Sequence, residues 1–432
     1  TNVGADTALA QIIKLVEDAQ GSKAPIQKIA DTVSSVFVPT VLVIASLSFA
    51  IWMFFGFGFS FSLTIFIAVM IIACPCALGL ATPTAVMVGT GKAASHGILI
   101  KSAEALQIAH SIDAIVFDKT GTLTKGEPKV TNIISVNGDE NELLIMSASL
   151  EKQSEHPLGE AILKSAKNKN LELQDVASFK SLTGYGIQGQ INGTDYFFGN
   201  RRLIETLNHS LDSQSVSFNS LENEGKTVMF LATKEKLCGF IAVADTIKPN
   251  SKEAVQSLKS KGLQVYMLTG DNKKTANAIA NECGITNVLA EVLPKDKSDQ
   301  IRFIQELGLN VAMVGDGIND APALAQANIG IAMGAGTDVA IESADIVLIK
   351  DDLRDVVLAM DLSRYTMRKI RQNLFWAFAY NAAGIPIAAG LLYPLFGFLL
   401  NPMIAGMAMA LSSVSVLGNT LLMNFYTFEI EK

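Results

Sequence analysis

The sequence lacks any excess of basic residues: 34 lysines and arginines stand against 41 acidic residues, and the formal net charge is -7. A protein that neutralises nucleic-acid phosphates needs a positive surface, and no basic stripe interleaved with aromatic residues occurs here. Nucleic acid is therefore not an expected partner. Only four cysteines occur in 432 residues, and two of them, Cys74 and Cys76, lie within an apolar run. So few cysteines exclude a disulfide framework and favour a reducing compartment.

Charged side chains are also scarce, at 17% of the chain against 49% hydrophobic residues, and the mean hydropathy is +0.34. Soluble multidomain proteins are less apolar, so this balance predicts membrane segments. Four apolar runs are long enough to cross a bilayer core of about 30 Å as helices. They lie at residues 33–55, 62–86, 374–399 and 403–426. A chain of this length also exceeds the size of one hydrophobic core, which predicts several domains.

The second apolar run contains Pro75 and Pro83, which should interrupt its helix. Backbone groups freed by a broken helix are tolerated in lipid only where protein or a water-filled cavity satisfies them. The Cys74-Pro75-Cys76 segment should therefore line an internal pathway. Two thiolates near the membrane midplane are soft ligands suited to Cu(I), Zn(II) or Cd(II). The alternative is a pair of small cysteines that only pack in the core.

Between residues 92 and 371 the sequence is typical of a soluble α/β protein. Short β-rich runs alternate with helical stretches such as residues 252–261 and 273–283. The pattern predicts a parallel, doubly wound sheet whose ligands bind at the carboxyl ends of the strands. The residues at or after those ends are Asp118, Thr269, Gly315-Asp316 and Gly334. Residues 130–239 lie between the first strand and the second and are too long for a loop, so they should form an inserted domain.

Asp118 is the candidate nucleophile, because it ends a buried strand and precedes the turn Lys119-Thr120-Gly121-Thr122, whose backbone donors can hold phosphate oxygens. A lone carboxylate at a strand end is more often a turn cap, but here three companions follow in order. Thr269 offers a hydroxyl to a phosphoryl oxygen, and Lys295 can neutralise charge during phosphoryl transfer. Gly315-Asp316-Gly317-Ile318-Asn319-Asp320 adds carboxylates suited to Mg²⁺, which also binds substrate phosphates.

These motifs resemble the haloacid-dehalogenase-type phosphorylation domain of P-type ATPases, and the resemblance covers essentially the whole chain. It implies that Asp118 becomes phosphorylated and that Asn319 is among the catalytic residues. It also implies that Mg²⁺ is held by Asp118, the Thr120 carbonyl, Asp316 and Asp320. Phosphatases of the same superfamily usually carry an Asp two positions after the nucleophile as general acid and base. Thr120 occupies that position here, which favours a pump over a phosphatase.

The inserted stretch contains Ser154-Glu155-His156-Pro157-Leu158, which resembles the nucleotide-domain motif of the heavy-metal subfamily, whose His contacts the adenine region. The chain has neither a Walker A loop nor a kinase Gly-rich loop, so only the resemblance identifies this stretch as the ATP site. The nucleotide-binding residues that it implies are Glu151, His156, Gly184, Gly186 and Asn200.

The last two apolar runs decide between metals through the same resemblance. Tyr380-Asn381 and Met409-x-x-Ser412-Ser413 match the copper(I) branch, whereas zinc-type relatives tend to have a Lys and an Asp there. No charged residue occurs between Leu374 and Tyr426, and a neutral set suits a monovalent soft ion, while a divalent ion favours carboxylate. For Met409 the alternative is ordinary packing. The implied copper ligands are Cys74, Cys76, Tyr380, Asn381, Met409 and Ser413.

The expected function is ATP-driven export of Cu(I), or of the related Ag(I), from the cytosol through an aspartyl-phosphate intermediate. The alternatives are a Zn(II) or Cd(II) pump with the same Cys-Pro-Cys motif, a membrane-anchored phosphatase, and a metal-binding protein with an inactive ATPase. The expected partners are ATP, a cytosolic copper donor and the lipid bilayer. The expected location is the plasma (inner) membrane, with the phosphorylation and nucleotide domains in the cytosol.

P-type pumps hydrolyse the phosphoenzyme with an actuator domain whose loop reads Thr-Gly-Glu, and this tripeptide does not occur here. The first twenty residues begin with Thr1 and lack a signal-like segment, so we expect the interior of a longer protein. Residues 3–12 resemble the segment that joins the actuator domain to the next span, and heavy-metal pumps usually have eight spans, so the resemblance implies an actuator domain and further transmembrane helices upstream. The predicted fold is multidomain α/β with four transmembrane helices. Its predicted segments are the end of the actuator domain and linker (1–32), two transmembrane helices (33–91), the doubly wound phosphorylation domain (92–129 and 240–371), the inserted α+β nucleotide-binding domain (130–239) and two transmembrane helices (372–432).

Overall fold

The computed structural model describes residue 13 and residues 17–427, except residues 137, 155–156, 183, 208, 210–214, 317–319 and 335–341. Of the predicted opening segment 1–32, residues 1–12 and 14–16 therefore lie outside the described residues. The chain divides into two compact units. The first unit comprises residues 1–112, 328–335 and 343–432, and the second comprises residues 113–327 and 336–342.

The helices and strands are numbered in chain order over the described residues. The α-helices are α1 Pro25–Phe54, α2 Phe59–Ile72, α3 Cys76–Ser95, α4 Ala103–Ala109, α5 Glu140–Glu151, α6 Pro157–Asn168, α7 Arg201–Thr206, α8 Ser215–Asn223, α9 Ser251–Ser260, α10 Lys273–Cys283, α11 Lys297–Glu306, α12 Ala321–Gln326, α13 Arg354–Ala388, α14 Tyr393–Phe396 and α15 Pro402–Leu421. The β-strands are β1 Ile98–Ile100, β2 Ala114–Asp118, β3 Thr124–Ser135, β4 Ala177–Leu182, β5 Gly186–Ile191, β6 Thr194–Gly199, β7 Thr227–Thr233, β8 Leu237–Ile247, β9 Gln264–Leu268, β10 Asn287–Leu289, β11 Val311–Gly315, β12 Ile329–Ala332 and β13 Ile346–Leu348.

The first unit consists mainly of long apolar helices. Helix α1 packs on α2, and α3 packs on both α13 and α15. The same unit contains three short strands, in which β13 pairs antiparallel with β1 and parallel with β12. Within the part of the chain that the structure describes, three helical stretches are long and apolar enough to cross a membrane: Glu17–Phe54, Phe59–Ser95 and Pro402–Phe425. They correspond to three of the four apolar runs in the sequence.

The remaining predicted span, at residues 374–399, does not form one helix with those bounds. Its first part is the end of α13, which already begins at Arg354 and carries a basic segment before its apolar part. Helix α13 ends at Ala388, and Gly390, with φ +91°, turns the chain towards the one-turn helix α14. The apolar residues of this run are therefore divided between two helices.

The second span breaks at one of the two predicted prolines. Helix α2 ends at Ile72 and α3 begins at Cys76, so the break falls at the Cys-Pro-Cys segment as expected. Pro83 does not interrupt α3, which corrects the prediction made for it. Transmembrane helices tolerate proline where neighbouring helices and small local adjustments satisfy the freed backbone groups, and α3 packs on both α13 and α15.

The second unit contains a parallel sheet with the strand order β11-β2-β9-β10. The central strands β2 and β11 are apolar up to their last residues, and Val116, Phe117 and Val314 are fully buried, as is Met267 of β9. Strands covered on both faces need such continuous apolar sequences, whereas a half-exposed strand alternates. Helices α9 to α12 alternate with the strands along the chain. This confirms the doubly wound fold class.

An antiparallel sheet with the order β3-β8-β7-β6-β5-β4 is inserted after β2. Alternate residues of its strands face two separate apolar clusters. Leu231 and Ile241 pack with α5 and α6, while their neighbours Phe230 and Phe240 pack with α7 and α8. The outer strand pair runs from Thr124 to Ile247, beyond residues 130 and 239, so the exact limits of the nucleotide domain stay a prediction.

Candidate functional site

The candidate site of the second unit lies at the carboxyl ends of three neighbouring strands. Asp118 ends β2, Thr269 follows β9, and Gly315 ends β11 directly before Asp316. The strands are parallel and in register, with Asp118 opposite Leu268 and Phe117 opposite Val314. Parallel strands present their carboxyl ends at the same edge, so the polar residues that follow them converge there.

Three carboxylates meet at this edge: each of Asp118, Asp316 and Asp320 offers an oxygen, and these oxygens lie within 4.8 Å of one another. Asp118 is only 5% exposed. Burial is the main cause that raises the pKa of Asp118 from its ordinary value of 3.8 to about 7, and the neighbouring Asp320 charge adds to it. Such a cluster of like charges is expensive without a cation, and carboxylate oxygen is the ligand type that Mg²⁺ prefers.

Lys297 supplies a cation to this cluster. Its Nζ atom lies 2.6 Å from Asp118 Oδ1 and 2.7 Å from Asp320 Oδ1. Burial opposes the charge of Lys297, but the Asp118 and Asp320 carboxylates outweigh it and hold the pKa of the ammonium above its usual value. The lysine is therefore charged beside the nucleophile, where it can draw negative charge from a transferring phosphoryl group.

Lys295, which the sequence analysis assigned to this role, lies elsewhere. It sits exposed in the 3₁₀ turn Pro294–Asp296, whereas Lys297 begins helix α11 and is 7% exposed. Residues two positions apart in a helix point about 200° apart around its axis, so only one of the two lysines can face the site. The motif Pro294-Lys295-Asp296-Lys297 brings a lysine to the carboxylates, but its residue types do not tell which of the two lysines faces inward.

The loop after Asp118 is held by residues that the sequence analysis did not single out. Lys248 Nζ donates to the Gly121 carbonyl oxygen, and Ser251 Oγ donates to the Leu123 carbonyl oxygen at 2.8 Å. Gly121 adopts φ +73°, and a Cβ atom at this position would overlap the Asp316 carboxylate. Both the left-handed backbone and the close approach require glycine here. Lys248 and Ser251 carry no motif of their own, and only the folded loop reveals them.

The remaining predicted catalytic residues are placed as follows. Thr269 is 3% exposed, and its hydroxyl oxygen accepts a hydrogen bond from the Asp271 amide at 3.1 Å. Asp271 also binds Lys119, with 2.7 Å between Nζ and Oδ2. Thr120 is exposed beside Asp118. Asn319 lies outside the described residues.

A cavity of 370 Å³ opens in the inserted domain. Glu151, Gly184, Gly186 and Asn200 all line it, so four of the five predicted nucleotide residues share one cavity. Glu151 is buried there at 2% exposure. His156, the fifth, lies outside the described residues.

Two of these residues also have structural reasons to be present. Asn200 caps helix α7, because its Oδ1 accepts from the Leu203 amide at 3.2 Å while its Nδ2 donates to the Gly184 carbonyl oxygen at 2.9 Å. Gly186 adopts φ +148°, and a Cβ atom there would overlap the Phe198 carbonyl oxygen on the neighbouring strand. The sequence matches thus also mark residues that shape the cavity wall.

In the first unit, Cys74 and Cys76 are joined as a disulfide. This corrects the expectation of free thiolates, because two sulfurs bonded to each other cannot act as thiolate ligands. It also shows that the backbone of the Cys-Pro-Cys turn brings the two side chains together. Cys74 packs against the same apolar cluster as Met409.

The other predicted copper ligands lie on helices α13 and α15. Asn381 is 2% exposed, and its Oδ1 atom has no hydrogen-bond partner among the described residues. Ser412 is fully buried and its hydroxyl is equally unpartnered within the described part, whereas Ser413 Oγ donates to the Met409 carbonyl oxygen at 3.4 Å. Ser412 was quoted in the motif but not chosen as a ligand. Tyr380 lines an apolar groove.

Comparison with known proteins places these features in a family. A family model described as a haloacid dehalogenase-like hydrolase matches residues 112–328. The chain is 51% identical, over its whole length, to a probable copper-exporting P-type ATPase of Archaeoglobus fulgidus, of which it covers 53%. It is 53% identical over 98% of its length to the probable copper-transporting ATPase PacS of Synechococcus elongatus, of which it covers 57%. The chain thus spans about half the length of the curated relatives it matches.

Among solved structures, a zinc-transporting PIB-type ATPase in its E2.Pi state superposes with a TM-score of 0.81 at 35% identity. The match covers 97% of this chain and 68% of that one, so it includes both units. The family model accounts for the parallel sheet that carries Asp118, and the structural match also accounts for the apolar helices. The chain therefore belongs to the haloacid dehalogenase-like hydrolases and, among them, to the PIB-type P-type ATPases.

Proposed function

We propose that this chain performs the ATP-dependent phosphorylation and the metal-handling steps of a pump that exports Cu(I) from the cytosol. The observation that carries the proposal is the buried Asp118, which ends a parallel strand and contacts the charged Lys297. A carboxylate in such a place can act as a nucleophile, and the ammonium beside it can offset charge that develops during transfer.

In the proposed phosphorylation step, an Asp118 oxygen attacks the γ-phosphorus of ATP. The new oxygen–phosphorus bond forms while the bond between that phosphorus and the bridging oxygen of ADP breaks, and ADP leaves with the bonding electrons. Lys297 draws charge from the transferring group, and the Thr269 hydroxyl can donate to one of its oxygens. The loop held by Lys248 and Ser251 presents its backbone amides to the other phosphoryl oxygens.

The carboxylate cluster fits Mg²⁺, because it combines three hard oxygen donors with a glycine cradle at Gly121. Asp118, Asp316 and Asp320 would hold the ion, and the Thr120 carbonyl stays a predicted further ligand. When bound, Mg²⁺ supplies positive charge to the phosphate oxygens.

The ATP base is proposed to enter the cavity of the inserted domain beside Glu151. Replacing Glu151 with glutamine should weaken ATP binding about tenfold, since a buried carboxylate can accept a hydrogen bond from an amino group of the base more strongly than an amide can. Isothermal titration with ATP measures the change. Glu160→Gln, an exposed position on α6, is the matched control and should bind ATP normally. Equal affinity of the Glu151 variant and the parent would remove Glu151 from the nucleotide site.

Copper is proposed as the cargo, because curated relatives at about 50% identity are named copper exporters or copper transporters. The membrane segments from Leu374 to Tyr426 contain no charged residue, which suits a monovalent ion, and Ag(I) belongs to the same class. The buried oxygen atoms of Asn381 and Ser412 add unpartnered polar groups to this region. A cytosolic dithiol, itself oxidised to a disulfide, would reduce the Cys74–Cys76 bond by two electrons and give the two thiolates that a soft ion needs.

Zn(II) is the second candidate cargo, favoured by the structural match to a zinc-transporting ATPase. Acid-stable labelling from ATP with Cu(I) or Zn(II) added in turn, under reducing conditions, separates the two candidates. We expect labelling to depend on Cu(I). Labelling that responds to Zn(II) instead would overturn the copper proposal while leaving the phosphorylation chemistry intact.

Replacing Cys74 and Cys76 with serine should lower Cu(I) affinity at least about 100-fold, because hydroxyl oxygens are hard ligands and Cu(I) is a soft ion. Competition with a chromophoric Cu(I) chelator measures the affinity. The matched control is the pair Cys238→Ser and Cys283→Ser, which removes the other two thiols of the chain and should leave Cu(I) affinity unchanged. If the control pair lost the affinity instead, the copper site would lie outside the membrane helices.

The remaining parts of the proposal follow from the relatives' greater length and the apolar helices. A cytosolic donor would deliver copper, and an actuator domain with a Thr-Gly-Glu loop would hydrolyse the phosphoenzyme. The protein would reside in the plasma (inner) membrane, with the phosphorylation and nucleotide domains on the cytosolic side. Selective labelling of the exposed Lys295 by a membrane-impermeant amine reagent in inside-out vesicles, but not in right-side-out vesicles, tests this orientation.

A further inference from the structure

A basic cleft of 520 Å³ lies against helix α13 in the first unit. Arg364, Arg368 and Arg371 are spaced four and three residues apart, so they project from one face of the helix. His110, which follows helix α4, completes the basic side of the cleft. None of the described residues that line the cleft is acidic, although the chain as a whole has a net charge of -7.

The hydrogen bonds of His110 position one of the three arginines. Its Nδ1 atom lies 2.6 Å from the Gln107 carbonyl oxygen, which can only accept, so Nδ1 carries the proton. Its Nε2 atom lies 3.0 Å from Arg371 Nη2, which can only donate, so Nε2 is an acceptor. The imidazole ring thus holds the Arg371 guanidinium in place. Three positive charges remain in the cleft, and a guanidinium fork matches the oxygens of a phosphate group.

The apolar end of the same cleft consists of Phe375 and Trp376, whose side chains are 63% and 50% exposed. Exposed aromatic residues between a basic segment and an apolar segment are typical of the membrane–water interface. Trp376 also lines a second cavity, an apolar groove of 450 Å³ that continues along α13 past Ala379, Ala383 and Ile387. The basic cleft and the apolar groove are therefore adjacent, and Trp376 lines both of them.

We infer that this cleft and groove bind one anionic phospholipid, with its phosphate on Arg364, Arg368 and Arg371 and one acyl chain in the groove below Trp376. Charge selects the anionic headgroup, and the groove selects a ligand that carries a hydrocarbon chain. Neither half alone would distinguish a lipid from a soluble anion or from a neutral apolar molecule. The inference does not depend on which metal is transported, but the groove also includes Tyr380, one of the predicted copper ligands.

The two tryptophans of the chain, Trp52 and Trp376, allow a direct test. In the Trp52→Phe protein, Trp376 is the sole tryptophan, and a brominated acyl chain quenches its fluorescence when it lies in the groove. The full chain is placed in phosphatidylcholine vesicles that contain either brominated phosphatidylglycerol or brominated phosphatidylcholine. We expect the anionic lipid to bind at least about fivefold more tightly, the preference that one engaged arginine gives. Equal quenching by the two lipids would overturn the inference.

Substitutions locate the preference on the three arginines. The variant Arg364→Gln/Arg368→Gln/Arg371→Gln should quench equally with both lipids. The matched control Lys164→Gln/Lys167→Gln/Lys169→Gln changes three exposed lysines on and just after helix α6 and should keep the preference. If the triple arginine variant does not fold, Arg368→Gln alone should reduce the preference severalfold. Retention of the full preference in a folded arginine variant would contradict the assignment.

Competition identifies the occupant. Inorganic phosphate at millimolar concentration should leave the quenching by brominated phosphatidylglycerol unchanged, because it has no acyl chain. Displacement by phosphate would show that the cleft takes a soluble anion, and the lipid inference would fail. The absence of quenching by both brominated lipids would show that protein covers the groove, which would also overturn it.

Discussion

Replacing Asp118 with asparagine is expected to abolish acid-stable phosphorylation by ATP, with no label above background. The amide keeps the shape of the side chain but lacks the anionic oxygen that attacks phosphorus. The matched control is Asp113→Asn, an exposed position directly before the same strand, where the carboxylate accepts hydrogen bonds from Asn310. This control should label like the parent. ATP binding should persist in both variants, because the nucleotide cavity lies in the inserted domain. Labelling of the Asp118 variant at the parent level would remove Asp118 as the phosphorylated residue.

The same substitution should change the pH dependence of stability in the metal-free protein. The pKa of Asp118 is about 7 in the folded state, against 3.8 for an ordinary carboxyl group. Between these values the folded state holds a proton that the unfolded state has lost, so stability falls as pH rises from about 4 to about 7. Asparagine has no such titration. Thermal unfolding with a chelator present should therefore show the Asn variant gaining stability relative to the parent at pH 8 but not at pH 4. A gain that is the same at both pH values would contradict the raised pKa.

Replacing Lys297 with methionine is expected to reduce the rate of phosphorylation by about 10²- to 10³-fold, the loss typical when one preorganised group that stabilises developing charge is removed. Methionine keeps an unbranched chain of similar length but leaves Asp118 and Asp320 without their shared cation. Lys295→Met is the matched control, because it removes the same charge two residues away at an exposed position. It should label within about twofold of the parent, as surface substitutions away from a site usually do.

A stability loss must be separated from the loss of chemistry. Removing one partner of a buried ion pair costs about 3–5 kcal/mol, so unfolding of Lys297→Met has to be measured under the labelling conditions. The double variant Lys297→Met/Asp118→Asn should regain part of that stability, because it no longer holds an unpaired Asp118 charge. If both variants are folded and label at the same rate, Lys297 has no larger catalytic role than the exposed Lys295.

The positions of Asp118, Thr269 and Asp316 could be predicted because strand ends are visible in the sequence. A continuous apolar run that stops at a polar residue defines both the strand and its carboxyl end, and the parallel order then brings the ends together. Lys297 could not be chosen over Lys295 in this way. Its placement depends on where a 3₁₀ turn passes into helix α11, a matter of one or two residues that residue types do not fix.

The membrane part shows the same division between pattern and local geometry. The proline pattern located the break at Cys74-Pro75-Cys76, but it also predicted a break at Pro83 that the helix does not have. Hydropathy located the apolar run after Leu374 but not the start of its helix at Arg354, because that part is amphipathic and basic. Contacts between distant segments, such as the pairing of Lys248 with the Gly121 carbonyl, leave no local signature in either segment.

The paired strands β3 and β8 bear on how the site forms during folding. They connect the inserted domain to the phosphorylation core, and Thr124 stands opposite Ile247 at the base of the pair. Phe117 and Met267 are partners in the core but are far apart along the chain. Once the strand pair has closed, the effective loop between them shrinks from about 150 residues to about 30, which lowers the entropic cost of joining β2 to β9 by about 1.5 kcal/mol. We therefore expect the antiparallel sheet to form first. The strand that ends at Asp118 then pairs with β9 across the shorter effective loop.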